Sequence, residues 1–474
     1  MSILGNAIQE ETTKTYTENS CPTYSSSLNY NVDFFFMAGA SRGQRDRVLD
    51  MFIKAYIENN DIALANLFYL RDCRNGIGER DLTRVILKHI GINYPNIVST
   101  SFLDKIVEYG RVDDILSLMN SDETYKTVIQ YIKENIENNN SLFGKWLPSE
   151  NTSSAKTKAL AKKVREGLGL TSKEYRHILS TLRKEQHLIE TAMTNKDYSN
   201  VKYENLPSQA HFKHISAFKR NDADNYTKYI ESLQKGEKKV NTSTLVPVQI
   251  GENYIYTCGR PVNDNVLNEM WKNLPDMYEG REENALVVCD TSGSMMGIPL
   301  SVAVSLSLYI AERNKGKFHN EFITFSEHPN FQEIKGNDLY EKFNSIVNSD
   351  WGMNTNLEAV FNLILNSCKK NNIPESECPK RIYIISDMEF DSCCGYSDKT
   401  MFENIKIKYN QAGYKLPQLF FWNVNSHQNN VPVRYNQQGV ALISGYAPNI
   451  LKYIIGKEDI SPENIMMDTL KRYM

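Results

Sequence analysis

The sequence predicts an α plus α/β protein, with an all-helical N-terminal part followed by a doubly wound, mostly parallel sheet. Between residues 43 and 236 apolar side chains recur three and four apart, as at Val48, Met51, Phe52, Ala55 and Tyr56, the spacing of one helix face. Beyond residue 245 the pattern changes to short, continuous apolar runs alternating with helical stretches. That alternation belongs to strands buried on both faces.

The elements follow in order. Residues 1–30 form a polar, irregular segment. Residues 31–245 form the helical domain, with candidate helices at 43–58, 61–70, 79–91, 101–109, 112–119, 123–137, 156–167, 172–188, 208–219 and 222–236. Their linkers carry turn residues, as in Asn75-Gly76-Ile77-Gly78, Asn93-Tyr94-Pro95 and Gly110-Arg111. Short connections imply antiparallel helix pairs, as in a HEAT-like α-solenoid. No repeat period is visible, so this expectation rests on the run of helices. Residues 246–281 connect to a second domain at 282–474. Candidate strands there are 284–289, 321–325, 381–386, 418–424 and 440–443, with helices at 299–314, 356–370, 400–412 and 447–455.

Composition narrows the class. The 474 residues are 41% hydrophobic and 23% charged, as in soluble globular chains. A net charge of −3 excludes a whole-chain polycation. The start, MSILGNAIQEETTKTY, lacks a basic flank and apolar core, so no signal peptide is expected. The stretch 298–311 is too short to span a bilayer, and no membrane association is expected. The eight cysteines, 21, 73, 258, 289, 368, 378, 393 and 394, contain no Cys-x-x-Cys pair and imply no secreted disulfide framework. A reducing cytoplasm is expected.

Asp290-Thr291-Ser292-Gly293-Ser294 follows the first strand, Gly352-Met353-Asn354-Thr355-Asn356 precedes a helix, and Ser386-Asp387 ends the strand 381–386. A doubly wound sheet brings all of these to its carboxyl edge, where such sheets bind ligands. One such element alone is explained by helix N-capping, since Ser and Thr before a helix satisfy free N–H groups. Their coincidence at one edge favours a metal site. Phosphotransferases of the Asp-x-Asp type need a second carboxylate where this chain has Ser292, so hydrolysis is not expected. Asp391 is read as an exposed loop residue rather than an accessory ligand. His211 and His214 are read as core or surface residues.

This arrangement resembles the metal-ion-dependent adhesion site of von Willebrand factor A-type domains, over about residues 282–456. The resemblance implies Mg²⁺ or another divalent cation held by Ser292, Ser294 and Thr355 directly, with Asp290 and Asp387 behind them on coordinated waters. Magnesium takes about six oxygens at roughly 2.0–2.1 Å and keeps several waters. Mostly neutral direct ligands leave the ion able to accept a partner's Asp or Glu, which is binding and not catalysis.

The helical part carries a second likeness. Asp33-Phe34-Phe35-Phe36, Ala38-Gly39, Arg71-Asp72-Cys73-Arg74, Gly76, Gly78-Glu79-Arg80 and Gly110-Arg111 with Asp113-Asp114 resemble the TROVE helical domain of the Ro ribonucleoprotein autoantigen family. The pairing of such a part with an A-type domain is also similar. The nearer likeness is to a less characterised bacterial, viral and eukaryotic branch, through 145–154, Pro207-Ser208-Gln209-Ala210 and 439–445. It implies a helical ring that binds small structured non-coding or misfolded RNA, closed within one monomer. Apart from that likeness, Arg71 to Arg80 reads as a glycine turn with local ion pairs, or else as a contact to a partner or to the A-type domain.

Charge agrees with the second likeness. Residues 145–239 carry 19 Lys+Arg against 11 Asp+Glu, and 145–184 carry 10 against 3. Lys145, Lys156, Lys158, Lys162, Lys163, Arg165, Lys173, Arg176 and Lys184 are the candidate RNA-binding residues, flanking apolar stripes on two successive helices. A solvated face with snorkelling lysines gives the same pattern. Trp146, Tyr175 and Phe212 are candidates for base stacking or for the core. The competing function is a metal-dependent protein-interaction scaffold without RNA.

Overall fold

The structure, a computed structural model, describes residues 12–184, 186, 189–255, 264–325, 329–349, 351, 355–391 and 400–474. The chain forms two compact units, one of residues 1–66, 75–77 and 242–474, the other of 67–74 and 78–241. The first contains the sheet and the second is helical.

The division differs from the sequence boundaries at both ends of the helical part. Residues 12–30 contain a hairpin, β1 (Lys14–Tyr16) antiparallel to β2 (Pro22–Tyr24), and Tyr24 bridges to Val431. Helix α1 (Tyr30–Met37) buries Phe34, Phe35 and Phe36 in succession. Consecutive phenylalanines cannot share one helix face, so this helix is covered all round. It packs on the strand Val440–Ser444, where Ser444 Oγ donates to Phe35 O at 2.9 Å. A Cβ at Gly39 would lie 2.8 Å from both Ile77 Cδ1 and Ser444 Oγ, so any larger residue would have to displace those two side-chain ends. The motifs 33–39 and 439–445 therefore pack on each other. Helix α2 (Arg45–Glu58) buries Val48, Met51, Phe52 and Ala55, the stripe its spacing predicted.

Helix α3 (Asn60–Arg71) leads into the helical unit. That unit comprises α4 (Asp81–Asn93), α5 (Thr100–Tyr109), α6 (Asp122–Glu137), α7 (Ser141–Trp146), α8 (Ala155–Gly167), α9 (Ser172–Lys184), α10 (Ile189–Asn195), α11 (Ser208–Asn221) and α12 (Ala223–Gln234). The sequence reading missed α7 and α10, which are too short to show a period. Residues Val112–Leu118 form a 3₁₀ turn instead of the expected α-helix. The cause is Asp114, fully buried, whose carboxylate accepts from Arg111 N at 2.9 Å, Arg71 Nε at 2.8 Å and Arg84 Nε at 2.6 Å. Both readings of the Arg71–Arg80 stretch hold in part. Its arginine joins this ion-pair network, while Gly76 O, within the sheet unit, accepts from Asn449 Nδ2 at 2.8 Å.

The sheet unit continues with α13 (Pro247–Ile255) and α14 (Asn265–Lys272), in the stretch expected to be a connector. The mixed sheet has the order β5-β4-β3-β6-β7-β8. Its strands are β3 (Ala285–Cys289), β4 (Glu321–Thr324), β5 (Phe331–Glu333), β6 (Arg381–Ser386), β7 (Gln418–Asn423) and β8 (Val440–Ser444). All neighbours are parallel except the edge strand β5. Every residue of β3, β6 and β8 is buried, as apolar runs covered on both faces must be. The helices are α15 (Ile298–Arg313), α16 (Leu339–Val347), α17 (Leu357–Lys370), α18 (Met401–Ala412), α19 (Leu451–Ile454) and α20 (Pro462–Leu470). The α plus α/β class is the one observed. No helix among the described residues is long and apolar enough to cross a membrane.

Candidate functional site

The register of the sheet builds the candidate metal centre. Cys289 pairs with Ile385 across parallel β3 and β6, so Asp290 and Asp387 leave adjacent strands at the same edge. Both are buried. Asp290 Oδ2 accepts from Ser386 Oγ at 2.6 Å, and Oδ1 from Ser292 N at 2.9 Å. Ser292 Oγ lies 3.1 Å from Ser294 Oγ, and Ser294 is exposed. Thr355 is buried at the head of α17, where Asn356 caps by accepting from Ala359 N. Gly352, Met353 and Asn354 of that predicted loop lie outside the described residues.

Asp391 is not the exposed loop residue expected from the sequence. It is half-buried, and its Oδ2 accepts from Thr355 N at 2.7 Å while its own N–H donates to Thr355 O at 3.2 Å. It clasps the Thr355 loop to the segment after β6. The N-terminal hairpin also supports that segment. Thr17 Oγ1 donates to Phe390 O at 2.7 Å, and Asn19 Nδ2 to Glu389 O at 2.8 Å. Glu389 is a buried carboxylate the sequence reading missed, held by Glu18 N at 2.9 Å and Asn430 Nδ2 at 2.7 Å. Its signal was available, two residues beyond Asp387, but its hydrogen-bond partners come from distant parts of the chain.

Electrostatics favour a cation here. Burial, and then the charge of Asp387, push the Asp290 carboxyl up to about 7, against the hydrogen bonds from Ser386 and Ser292. Burial also raises Asp387, offset by the Ser294 hydroxyl and the Glu389 N–H. Asp387 Oδ2 and Thr291 Oγ1 are buried without a hydrogen-bond partner among the described residues. A buried carboxylate oxygen without a partner is costly unless something positive meets it. The residues therefore fit a hard divalent cation: Asp290, Ser292, Ser294, Thr355 and Asp387 offer oxygen only. No group of three or more His, Cys, Asp or Glu placed to hold a metal ion occurs among the described residues, so an ion here would rest on hydroxyls and waters as well as the two carboxylates.

The helical unit holds a second candidate. Lys173, Arg176, His177 and Lys184, from α9, line a groove of about 830 Å³ with Ser149, Asn151 and one carboxylate, Glu150, which pairs with Arg165. Lys173, Arg176 and Lys184 are exposed. Next to it, Gly144 lets α7 cross α9 closely, since a Cβ there would overlap Leu182. Arg183 stitches the two together, donating to Gly144 O at 2.6 Å, Ser149 Oγ at 2.8 Å and Leu147 O at 3.1 Å.

The other predicted cations do not share one environment. Lys156 and Lys158 are exposed on α8, and Lys162 lies 3.8 Å from Glu166. Lys163 Nζ donates to Met119 O at 2.7 Å, and Arg165 pairs with Glu150 at 2.9 Å while donating to Leu170 O. Lys145 is half-buried, 5.2 Å from the Trp146 ring centroid. Of the aromatic candidates, Tyr175 is core, its hydroxyl donating to Pro148 O. Trp146 is half-buried with Arg111 4.0 Å from its ring centroid, and Phe212 is half-buried. His211 is core, 2.9 Å from Tyr226 Oη, and burial lowers it to about 4. His214 is half-buried near Glu190.

Comparison with known proteins matches two separate stretches of the chain. Residues 284–472 match the model of a domain of unknown function (DUF7788), and residues 155–279 that of another (DUF2828). The chain is 29% identical over 506 aligned residues to an uncharacterised protein of Acanthamoeba polyphaga mimivirus, covering 97% of this chain and 87% of that protein.

Proposed function

We propose that the sheet unit is a cation-dependent binding module that takes an acidic group from a protein partner. The observation that carries this reading is the buried pair Asp290 and Asp387, with Asp387 Oδ2 lacking a hydrogen-bond partner among the described residues, at the sheet edge that also carries the paired hydroxyls of Ser292 and Ser294. Ser292, Ser294 and Thr355 would hold the ion with Asp290 and Asp387 supporting it. When bound, a magnesium or similar ion supplies an electrophilic position for a carboxylate. The test is manganese binding to the full chain, followed by electron paramagnetic resonance. Saturable binding that is displaced by magnesium and lost in Ser292→Ala with Asp387→Asn supports the reading. Equal binding by that variant rejects it.

The helical unit is, on this reading, the RNA-binding half of an Ro-like protein. Lys173, Arg176 and Lys184 lining one groove with polar side chains favour a phosphate backbone as the ligand. Fluorescence anisotropy with a labelled single-stranded RNA and a labelled RNA hairpin tests it. Affinity should fall steeply with salt and with charge reversal in the groove. If no RNA binds at low salt, the scaffold reading without RNA stands instead.

A further inference from the structure

We propose that Cys368 and Cys378 form a redox-active dithiol that closes a reversible disulfide. Cys368 is buried in the last turn of α17, and Cys378 is half-exposed after the short 3₁₀ turn Glu375–Glu377. The residues are ten apart in sequence, and their Sγ atoms lie 3.0 Å apart. A disulfide bond of about 2.05 Å needs only a small further approach. The backbone between them is already ordered for it. Ile373 N donates to Cys368 O at 2.9 Å, Cys378 N to Glu375 O at 3.2 Å, and Tyr414 Oη to Ile373 O at 3.2 Å. Closing the bond therefore asks little rearrangement of the chain.

The two thiols take different parts. Cys378 is the one a soluble disulfide can reach, while burial and the neighbouring sulfur hold the Cys368 thiol up to about 12. The Cys378 thiolate attacks glutathione disulfide, forming a Cys378–glutathione bond and releasing one glutathione thiolate. Cys368 then loses its proton and attacks Cys378 Sγ, forming the protein disulfide and releasing the second glutathione. Two protein thiols are oxidised, one glutathione disulfide is reduced to two glutathiones, and the protons leave on them. The bond joins the last turn of α17, whose head carries Thr355, to the segment entering β6, whose end carries Asp387. The dithiol itself does not depend on the cation reading.

The full chain is equilibrated in glutathione buffers of stepped redox ratio, trapped with N-ethylmaleimide and mapped by mass spectrometry. In oxidising buffer the alkylation of Cys368 and Cys378 should disappear together, with a linked peptide pair that dithiothreitol releases. Cys368→Ser should stop at a glutathione adduct on Cys378, and Cys378→Ser should form neither adduct nor linkage at Cys368. The proposal is overturned if the unmodified chain stops at that adduct, or if both thiols are alkylated at every ratio.

Discussion

Removing the repulsion at the candidate metal centre should change stability and cation response in opposite senses. Asp290 is fully buried, and its carboxyl is raised from 3.8 to about 7. At about 1.4 kcal/mol per pH unit, holding it ionised costs the folded state on the order of 4 kcal/mol. The carboxyl is raised on folding, so its stabilising protonation is fully present below about pH 4 and lost as pH rises through about 7. The cation-free chain should therefore melt lower near pH 8 than near pH 5.5 as far as this pair is concerned. A cation at about a hundred times its dissociation constant returns roughly 2.7 kcal/mol. At about 2–4 °C per kcal/mol for a large unit, Tm should rise by roughly 5–10 °C. The assay is differential scanning fluorimetry of chelator-stripped protein with and without magnesium at both pH values. Asp290→Asn should raise the cation-free Tm near pH 8 and abolish the response to magnesium. A magnesium shift of the same size in Asp290→Asn, or none in the unmodified chain near pH 8, would refute the reasoning.

Further expectations follow from other interactions. Asp391→Ala removes the clasp on Thr355 N, so manganese affinity should fall by about tenfold, one hydrogen bond of about 1.4 kcal/mol, with a smaller change in Tm. Charge reversal at Lys173 and Arg176 should weaken RNA binding more than reversal at Lys158 and Lys162, measured by anisotropy, because the first two line the groove. The same reversals should lower the slope of log affinity against log salt by about 0.7–0.9 for each phosphate that is no longer neutralised. Asp114→Ala leaves the buried Arg71 without its counter-charge, and should destabilise the helical unit by about 3–5 kcal/mol in urea denaturation.

Much of the sheet unit is legible in its residues alone. The apolar runs at 285–289, 381–386, 418–423 and 440–444 are strands because every second and every intervening residue needs an apolar environment. The acidic and hydroxyl residues placed just after such runs fall at one edge by topology alone. Less legible were α1, whose burial is nearly all-round and therefore lacks a one-sided period, and α13, whose nine residues are too few to establish one. The basic face was legible as composition but not as a surface. Lys163 and Arg165 have the spacing of free cations, yet their side chains are used by Met119 O and Glu150.

By itself, then, the sequence determined the class of each half, the strand ends that carry Asp290 and Asp387, and the bias of positive charge toward the helical part. Period and composition encode these because each depends on which face of its own element is buried. Tertiary structure alone decided that residues 12–66, 242–255 and 264–281 pack with the sheet, that Asp391 clasps Thr355, that Glu389 is buried beside Asp387, and that α9 supplies the cations of the groove. Those outcomes depend on packing between residues far apart in the chain. Thr17 against Phe390 and Ser444 against Phe35 leave no trace in local spacing, because either partner alone is satisfied equally well by water.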